Sequence, residues 1–307
     1  MLYNVMQHSS PVWTLRPVDE SEEYHFYEEI EEIKRNIDGI FYQDFHNKAI
    51  MLGFYRNGQI FFDGVIGEGI NRKIIRAIPE RWYSKNIVGL NDHIVFKVGE
   101  NKDKIMEQRW MFGEDLVKTL KYLSILWNAV NLKYKEISSP KVTIRITGVI
   151  IETKAAAASY IRAASDPNST DSINHLILIY KGTQYFKNQF YHETYFDDYN
   201  SAVVMTSLKS GPVVGSAMVA QICEKNVIYI NDDANYDAIF TATHELGHSL
   251  GLTHDDASIS EPPYEATILA PYVMSAKKRY WSQQSLRELE EFASTEEAEC
   301  LRTKRTS

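Results

Sequence analysis

Residues 238–255 read AIFTATHELGHSLGLTHD, and they carry more information than any other stretch of the chain. On an α-helix, side chains four positions apart lie on one face, so His244 and His248 can direct two imidazoles at one ion. Gly251 can end this helix, because glycine adopts the left-handed conformation that a side chain opposes. The chain then turns, and His254 can return as a third ligand. The stretch therefore predicts a helix, a tight turn and three converging histidines.

Three histidine nitrogens are a typical ligand set of a catalytic zinc site. Three neutral imidazoles leave a fourth tetrahedral position for water. Glu245 follows the first ligand and is placed to take a proton from that water. A His-Glu-x-x-His string also arises by chance, and single histidines on helices are usually structural. Because Gly251 and His254 also stand at their required positions, we expect one catalytic Zn²⁺ bound by His244, His248 and His254.

The composition excludes several other classes of protein. The chain has 307 residues, of which 44% are hydrophobic and 12% aromatic, as in a protein that folds around a core. Its 33 basic residues are outnumbered by 41 acidic ones and form no dense cluster, which argues against nucleic acid or an anionic lipid surface as a partner. No stretch approaches about 18 consecutive apolar residues, so no membrane span is expected. Two cysteines are too few for a disulfide scaffold or a cysteine-based zinc finger.

Beyond residue 104, predicted helices and strands alternate over about two hundred residues, which indicates an α/β domain. Apolar runs and turn residues predict strands in five places: several short ones over 40–78, then 93–98, 141–151, Ala202–Thr206 and 227–230. Helical spacing or length predicts helices over Leu116–Tyr134 and 171–190. Ser282 and Ser285, with Glu288 three residues on, can cap a C-terminal helix that ends near Phe292.

The string His-Glu-x-x-His-x-x-Gly-x-x-His-Asp resembles the metzincin metalloprotease signature. Asp255, directly after the third histidine, is similar to the reprolysin (adamalysin/ADAM-type) branch of that family. Tyr272-Val273-Met274-Ser275 stands where metzincins have a turn beneath the zinc, so the resemblance implies that Met274 is the Met-turn residue. It also implies a metzincin fold of the α/β (α+β) class, with a mixed twisted sheet and long helices. The zinc cleft would lie between a large N-terminal and a small C-terminal subdomain.

The resemblance extends beyond the zinc motif. Residues 122–134 and 203–206 are similar to the first long helix and a buried strand of tick salivary reprolysin-like proteases. Residues 40–98 resemble the C-terminal part of a reprolysin propeptide. The resemblance thus implies a partial propeptide-like region at 1–98 and a catalytic domain at 99–307. The edge strand that aligns substrate in this family is matched by Gly215, Ser216, Ala217, Met218 and Val219.

The cysteines depart from the family pattern in one respect and match it in another. Reprolysin propeptides often cap the zinc with a cysteine thiolate, but the first cysteine here is Cys223, so this form of latency is not expected. Cys223 and Cys300 match the family disulfide that joins the end of the edge strand to the C-terminal helix. Two unpaired buried thiols are the alternative.

The resemblance implies a secreted zinc endopeptidase that hydrolyses peptide bonds in proteins, with Glu245 activating a zinc-bound water. Protein or peptide substrates, including extracellular matrix or blood proteins, would pair with the edge strand through backbone hydrogen bonds. Secretion is expected although no signal peptide is visible, and the glycosylation sequon Asn168-Ser169-Thr170 is consistent with it. The sequence gives no support for a Ca²⁺ site.

Two alternatives stay open. Residues 104–115 are a poor version of the hydrophobic strand that opens reprolysin catalytic domains, so the chain could be a catalytically impaired relative that acts by binding a target protein. It could also be a zymogen whose propeptide blocks the cleft, in which case activity requires cleavage near residues 98–116.

Overall fold

The computed structural model describes most of the chain beyond residue 38. The described residues are 3–4, 39–56, 58–77, 93–97, 116–146, 148–149, 159–189, 199–260, 265–272, 276 and 278–302. Within them, helices and strands are mixed, which confirms the α/β (α+β) class, and they come in runs rather than in strict alternation, with six strands before the first α-helix. The predicted first strand of the catalytic domain at 104–115 and the predicted Met-turn residue Met274 lie outside the described residues.

The amino-terminal part of the chain forms an antiparallel sheet in which six described strands pair in chain order. Gly58 takes the left-handed conformation, with φ +77°, in the tight turn between the third and fourth strands, as hairpin turns require. Alternate residues of the third strand, Ile50, Leu52 and Phe54, are buried, so one face of the sheet is apolar. The strands are β1 (Tyr3–Asn4), β2 (Gly39–Asp44), β3 (Ala49–Arg56), β4 (Gln59–Ile66), β5 (Lys73–Ala77) and β6 (His93–Lys97).

A second sheet supports the histidine motif. It contains β7 (Ala202–Thr206), β8 (Gly215–Ser216) and β9 (Val227–Asn231), in the order β7-β9-β8. β9 runs parallel to β7 and antiparallel to β8, so this described sheet is mixed and β8 lies at its edge. The central strand β9 is buried over four consecutive apolar residues, as expected for a strand covered on both faces.

The helices follow the predicted order. The bounds of α1 (Leu116–Tyr134) and β7 agree with the prediction, and α3 (His175–Gln189) falls within the predicted 171–190. Of the helices in the described ranges, none has the length and hydropathy needed to cross a membrane. The remaining helices are α2 (Ser159–Ala164), α4 (Ala238–Ser249), α5 (Gln283–Ala293) and α6 (Glu299–Arg302). Short 3₁₀ turns lie at Gly69–Asn71, Ile222–Glu224, Ala257–Ile259 and Glu296–Ala298, and two further short strands, β10 (Glu265–Thr267) and β11 (Lys278–Tyr280), pair in parallel.

The strand predicted over 141–151 is wrong for the residues described there. Residues 141–146 and 148–149 belong to no sheet. The Ile144 backbone N–H instead donates to the Asn131 side chain of α1 at 2.9 Å, and Val142 and Ile144 pack on the core. The alternation of apolar residues therefore reflects one-sided packing rather than strand pairing.

One hydrophobic core joins the amino-terminal sheet to α1 and to α4, the helix that carries the first two histidines. Buried side chains of β3, such as Leu52, belong to the same cluster as Ile125 of α1 and Ile239 of α4. A second cluster lies between the mixed sheet and helices α2 and α3, around Leu178 and Tyr229. The motif helix α4 thus rests on a core to which both parts of the chain contribute.

Candidate metal centre and active site

Helix α4 presents the first two histidines because its opposite face is apolar and buried. Ile239, Ala242 and Leu246 anchor it in the core. The Tyr134 hydroxyl of α1 donates to the Thr243 carbonyl oxygen at 2.9 Å, which fixes the helix one residue before the first histidine. The position of the helix is therefore set by buried contacts that do not involve the histidines.

The three predicted ligands converge on one point. The Nε2 atoms of His244 and His248 are 3.0 Å apart, those of His248 and His254 are 3.2 Å apart, and those of His244 and His254 are 3.3 Å apart. Nitrogens that bind one tetrahedral zinc at about 2.0–2.1 Å lie about 3.3–3.4 Å from one another. The triad therefore fits a zinc ion, and these residues form a group that can hold a metal within the described part of the chain.

Hydrogen bonds orient two of the imidazoles. His244 Nδ1 donates to the Ile268 carbonyl oxygen at 2.8 Å, and His248 Nδ1 donates to the Leu252 carbonyl oxygen at 2.8 Å. A proton on Nδ1 leaves the Nε2 lone pair of each ring free for a metal.

The same two histidines are neutral because they are buried. Burial lowers the pKa of His244 to about 4 and also lowers the pKa of His248. Both rings are thus neutral near pH 7, as metal ligands must be.

A left-handed glycine turns the chain toward the third ligand. Gly251 ends the helix with φ +88°, and its N–H donates to the His248 carbonyl oxygen at 2.9 Å. A Cβ at this position would come within 2.7 Å of the Phe292 ring of α5. Glycine is therefore required both by the backbone conformation and by the close approach of α5.

Helix α5 also holds the loop that carries His254. Asp255 is buried and accepts hydrogen bonds from the hydroxyls of Ser282 and Ser285. Thr253 donates to the Glu288 carboxylate through its N–H at 2.8 Å and through its hydroxyl at 2.7 Å. These contacts lie on either side of His254 and fix the loop against one face of α5.

The predicted cap of α5 is confirmed in part. Ser282 precedes the helix and accepts from the Ser285 N–H at 2.9 Å. Glu288 binds Thr253 rather than completing the cap. The zinc motif gives no signal for the contacts of Glu288 and Phe292 with this loop, because these residues lie 30 or more positions after it.

Glu245 lies next to the edge strand of the mixed sheet. Its side chain is 6% exposed, and burial raises the pKa of its carboxyl group to about 8. An added Cβ on Gly215 of β8 would come within 2.6 Å of Glu245 Oε1 and within 2.5 Å of Thr241 Cγ2. The absence of a side chain at position 215 therefore makes room for the carboxylate.

We expect Gly215→Ala to lower peptidase activity while zinc is retained. The methyl group must displace Glu245 or push β8 away from α4, and a misplacement of about 1 Å at a catalytic group can cost about 100-fold in rate. Zinc content and kcat/KM for a protein substrate measure the two effects separately. Ser216→Ala on the same strand is the matched control, and equal activity of the two variants would contradict the expectation.

The predicted edge strand is shorter than expected. Only Gly215 and Ser216 pair with β9, so the sheet ladder ends before Ala217. Met218 is 52% exposed and Val219 is 47% exposed, which leaves an apolar rim open to solvent. The Ala220 N–H donates to the His248 carbonyl oxygen at 2.9 Å and thereby ties the end of this segment to the motif helix.

Cys223 and Cys300 form a disulfide, as the resemblance implies. The bond lies three residues after the contact between Ala220 and His248 and connects this segment to α6. The alternative of two unpaired thiols is therefore wrong.

Comparisons with known proteins agree with this geometry. The model of metallopeptidase family M12, of the reprolysin type, matches residues 108–282. Venom metalloproteinase 3 of Eulophus pennicornis is 31% identical over 313 residues, which cover 91% of this chain and 76% of that protein. Venom metalloproteinase 2 of the same species is 27% identical, and the match covers 76% of this chain and 64% of the relative.

A relative from a snake venom is matched over its whole length. Snake venom metalloproteinase atroxlysin-1 of Bothrops atrox is 27% identical over 240 residues, which cover 74% of this chain. A closer similarity to tick salivary proteases stays a prediction. Members of this family use zinc, and the three histidines form a site that fits it. The chain therefore belongs to the reprolysin branch of the M12 metallopeptidases and is a zinc metalloendopeptidase.

Proposed function

We propose that the chain is a secreted endopeptidase that cleaves extracellular proteins, with its catalytic unit in residues 99–307 and Glu245 as its general base. One observation carries this proposal: three Nε2 atoms converge on one point, and the residue that follows the first of these histidines has a buried carboxylate next to the edge strand β8. Metal-assisted peptide hydrolysis needs three parts, namely a metal, a base and a strand with which the substrate can pair.

His244, His248 and His254 would hold the zinc. When bound, the ion supplies a Lewis acid that polarises the scissile carbonyl and makes water more acidic. The histidines stay neutral and oriented because their Nδ1 protons are held by backbone carbonyl groups. Asp255 and Thr253 keep the third ligand in place through α5.

Glu245 would accept a proton from the attacking water in its ionised form, which a neighbouring zinc cation favours against the effect of burial, and would donate that proton to the leaving amine. Its carboxylate is screened from bulk solvent, so the proton is less readily lost to water between these two steps. Contact with Gly215 restricts the side chain, which favours one orientation of the carboxylate.

An extended peptide would bind along the outer edge of β8. In the described part of the chain β8 pairs with β9 on one side, and an added strand can pair on the other through backbone hydrogen bonds. The exposed Met218 and Val219 would contact apolar side chains of such a peptide. The pairing would bring a peptide close to Glu245, because Gly215 of β8 is adjacent to it.

Three observations support secretion. The relatives compared above are named as venom proteins. The chain carries a disulfide, which persists in oxidising compartments. Asn168 of the sequon lies exposed in a turn, as glycosylation requires.

Metal removal tests the proposal. We expect about one zinc per chain, loss of gelatin and fibrinogen cleavage on dialysis against a chelator, and recovery of cleavage when zinc is added. Elemental analysis and gel-based cleavage assays measure the two quantities. A chain that binds zinc and cleaves neither these proteins nor a peptide library would instead fit the impaired relative that acts by binding.

A further inference from the structure

The amino-terminal sheet is docked on the face of the catalytic unit formed by α1 and the start of α4. Phe54 of β3 lies under the Lys121 ammonium of α1, whose Nζ is 3.8 Å from the ring centroid. Leu52 and Ile74 of the sheet are fully buried in the same core as Ile125 and Val130 of α1. The apolar face of the sheet and that of α1 therefore cover each other.

Buried charges cross this interface as well. Arg72, on the loop before β5, is almost fully buried, donates to the Tyr236 carbonyl oxygen at 2.8 Å and forms an ion pair with Asp237. Lys133 of α1 forms an ion pair with Glu68, and both side chains are largely buried. Separating the sheet would break both ion pairs and return the apolar faces of the sheet and α1 to water, which is unfavourable.

A ring of cations surrounds Phe240 at the same interface. The guanidinium carbons of Arg72 and Arg279 lie 5.6 Å and 4.9 Å from the Phe240 ring centroid, and Lys133 Nζ lies 5.9 Å from it. The sheet supplies Arg72, α1 supplies Lys133 and β11 supplies Arg279. Arg72 of the sheet is therefore one of three cations that surround Phe240 on this face of the catalytic unit.

Within the part of the chain that the structure describes, the docked sheet leaves the cleft open. His254 is exposed, as are Met218 and Val219 on the rim. Hydrogen bonds and ion pairs from the sheet and its loops reach α1 and its end, and the residues directly before α4. The match with venom metalloproteinase 3 covers 91% of the chain, so it also includes part of this sheet.

We propose that the sheet formed by β2 to β6 is a permanently docked partner of the catalytic unit, which remains bound after the chain is cut and does not block the cleft. The shared core and the buried ion pairs hold the two parts together without a covalent link. This proposal differs from a propeptide that is released on activation.

A cut between the two parts tests the proposal in the full chain. A recognition sequence for a site-specific protease is inserted between residues 99 and 115, and the cut protein is analysed by gel filtration in non-denaturing buffer. We expect both fragments to elute together, with unchanged zinc content and unchanged activity. Separation of the fragments would overturn the docking, and a large gain of activity on cutting would overturn the open cleft.

Matched variants identify the contacts responsible. Arg72→Ala should raise the dissociation constant of the cut fragments at least about tenfold, because it leaves Asp237 without its ion pair and removes a buried hydrogen bond. Lys73→Ala, at the exposed next position, should behave as the unmodified chain does. Equal dissociation constants for these two variants would overturn the role of the ion pairs. If Arg72→Ala does not fold, Asp237→Asn replaces it, since Asp237 is partly exposed.

The association measurement does not depend on the proposed function. Only the activity arm rests on the chain being an active peptidase. Fragments that elute together without activity before or after the cut would contradict the proposed function and leave the docking supported.

Discussion

Glu245→Gln is expected to keep about one zinc per chain while kcat/KM for protein cleavage falls by about 10²–10⁴-fold, the usual contribution of a general base. The amide has nearly the shape of the carboxylate, so it fits the space that Gly215 leaves. It cannot accept the proton of the attacking water. Glu245→Ala should lose activity to at least the same extent, because it removes the group altogether.

If Glu245→Gln keeps its zinc but loses turnover, Glu245 acts in catalysis and not in holding the metal. The Nδ1 hydrogen bonds of His244 and His248 go to backbone carbonyl groups, and the loop of His254 is held by α5. None of these contacts involves the Glu245 side chain, so substitution should leave the ligands in position. Elemental analysis and steady-state kinetics on the same sample measure both quantities.

Glu291→Gln is the matched control, because Glu291 is exposed on α5 and its substitution should leave both zinc and turnover unchanged. Unchanged turnover in Glu245→Gln would contradict the assignment of the base. Loss of zinc together with activity would instead show that Glu245 acts in the structure of the metal centre.

The metal centre was predictable from sequence because its ligands lie within one helix and the turn that follows it. His244 and His248 share a face through helical spacing, and Gly251 has to take a positive φ for the chain to return. The bounds of α1 and β7 were likewise visible in local apolar patterns. The metal ligands, α1 and β7 were thus predictable because each depends on residues that are close together in the chain.

The contacts that support the site were not predictable, because they join residues far apart in the chain. Thr253 meets Glu288 and Gly251 meets Phe292 only after α5 has packed on the zinc loop. The docking of Arg72 on Tyr236 spans 164 residues. The prediction of a strand over 141–151 was wrong for a related reason. The alternation of apolar and polar residues shows that one face is buried, but it does not show which part of the chain buries that face.

The disulfide leads to the largest expected effect on stability. Cys223→Ser with Cys300→Ser should lower the free energy of unfolding by about 4–5 kcal/mol in the chain-entropy model, because the bond joins residues 77 positions apart. The bond also acts locally. One end of the bond lies next to the buried Ile222, in the segment after the edge strand, and the other lies two residues after the buried Ala298. In the same segment, the Ala220 N–H donates to the carbonyl oxygen of the ligand His248.

Urea unfolding with and without a reductant measures this effect. The chain contains two cysteines and both are in the bond, so a reductant breaks no other disulfide. The reduced unmodified chain should therefore unfold at the same urea concentration as the double serine variant, and that variant should not respond to reductant. Coincident curves for the oxidised and reduced chain would contradict the expectation.

Local unfolding would have a separate signature. If the loss of stability is confined to the C-terminal region, that region should unfold first. Activity should then fall before the global transition, because the zinc loop rests on α5.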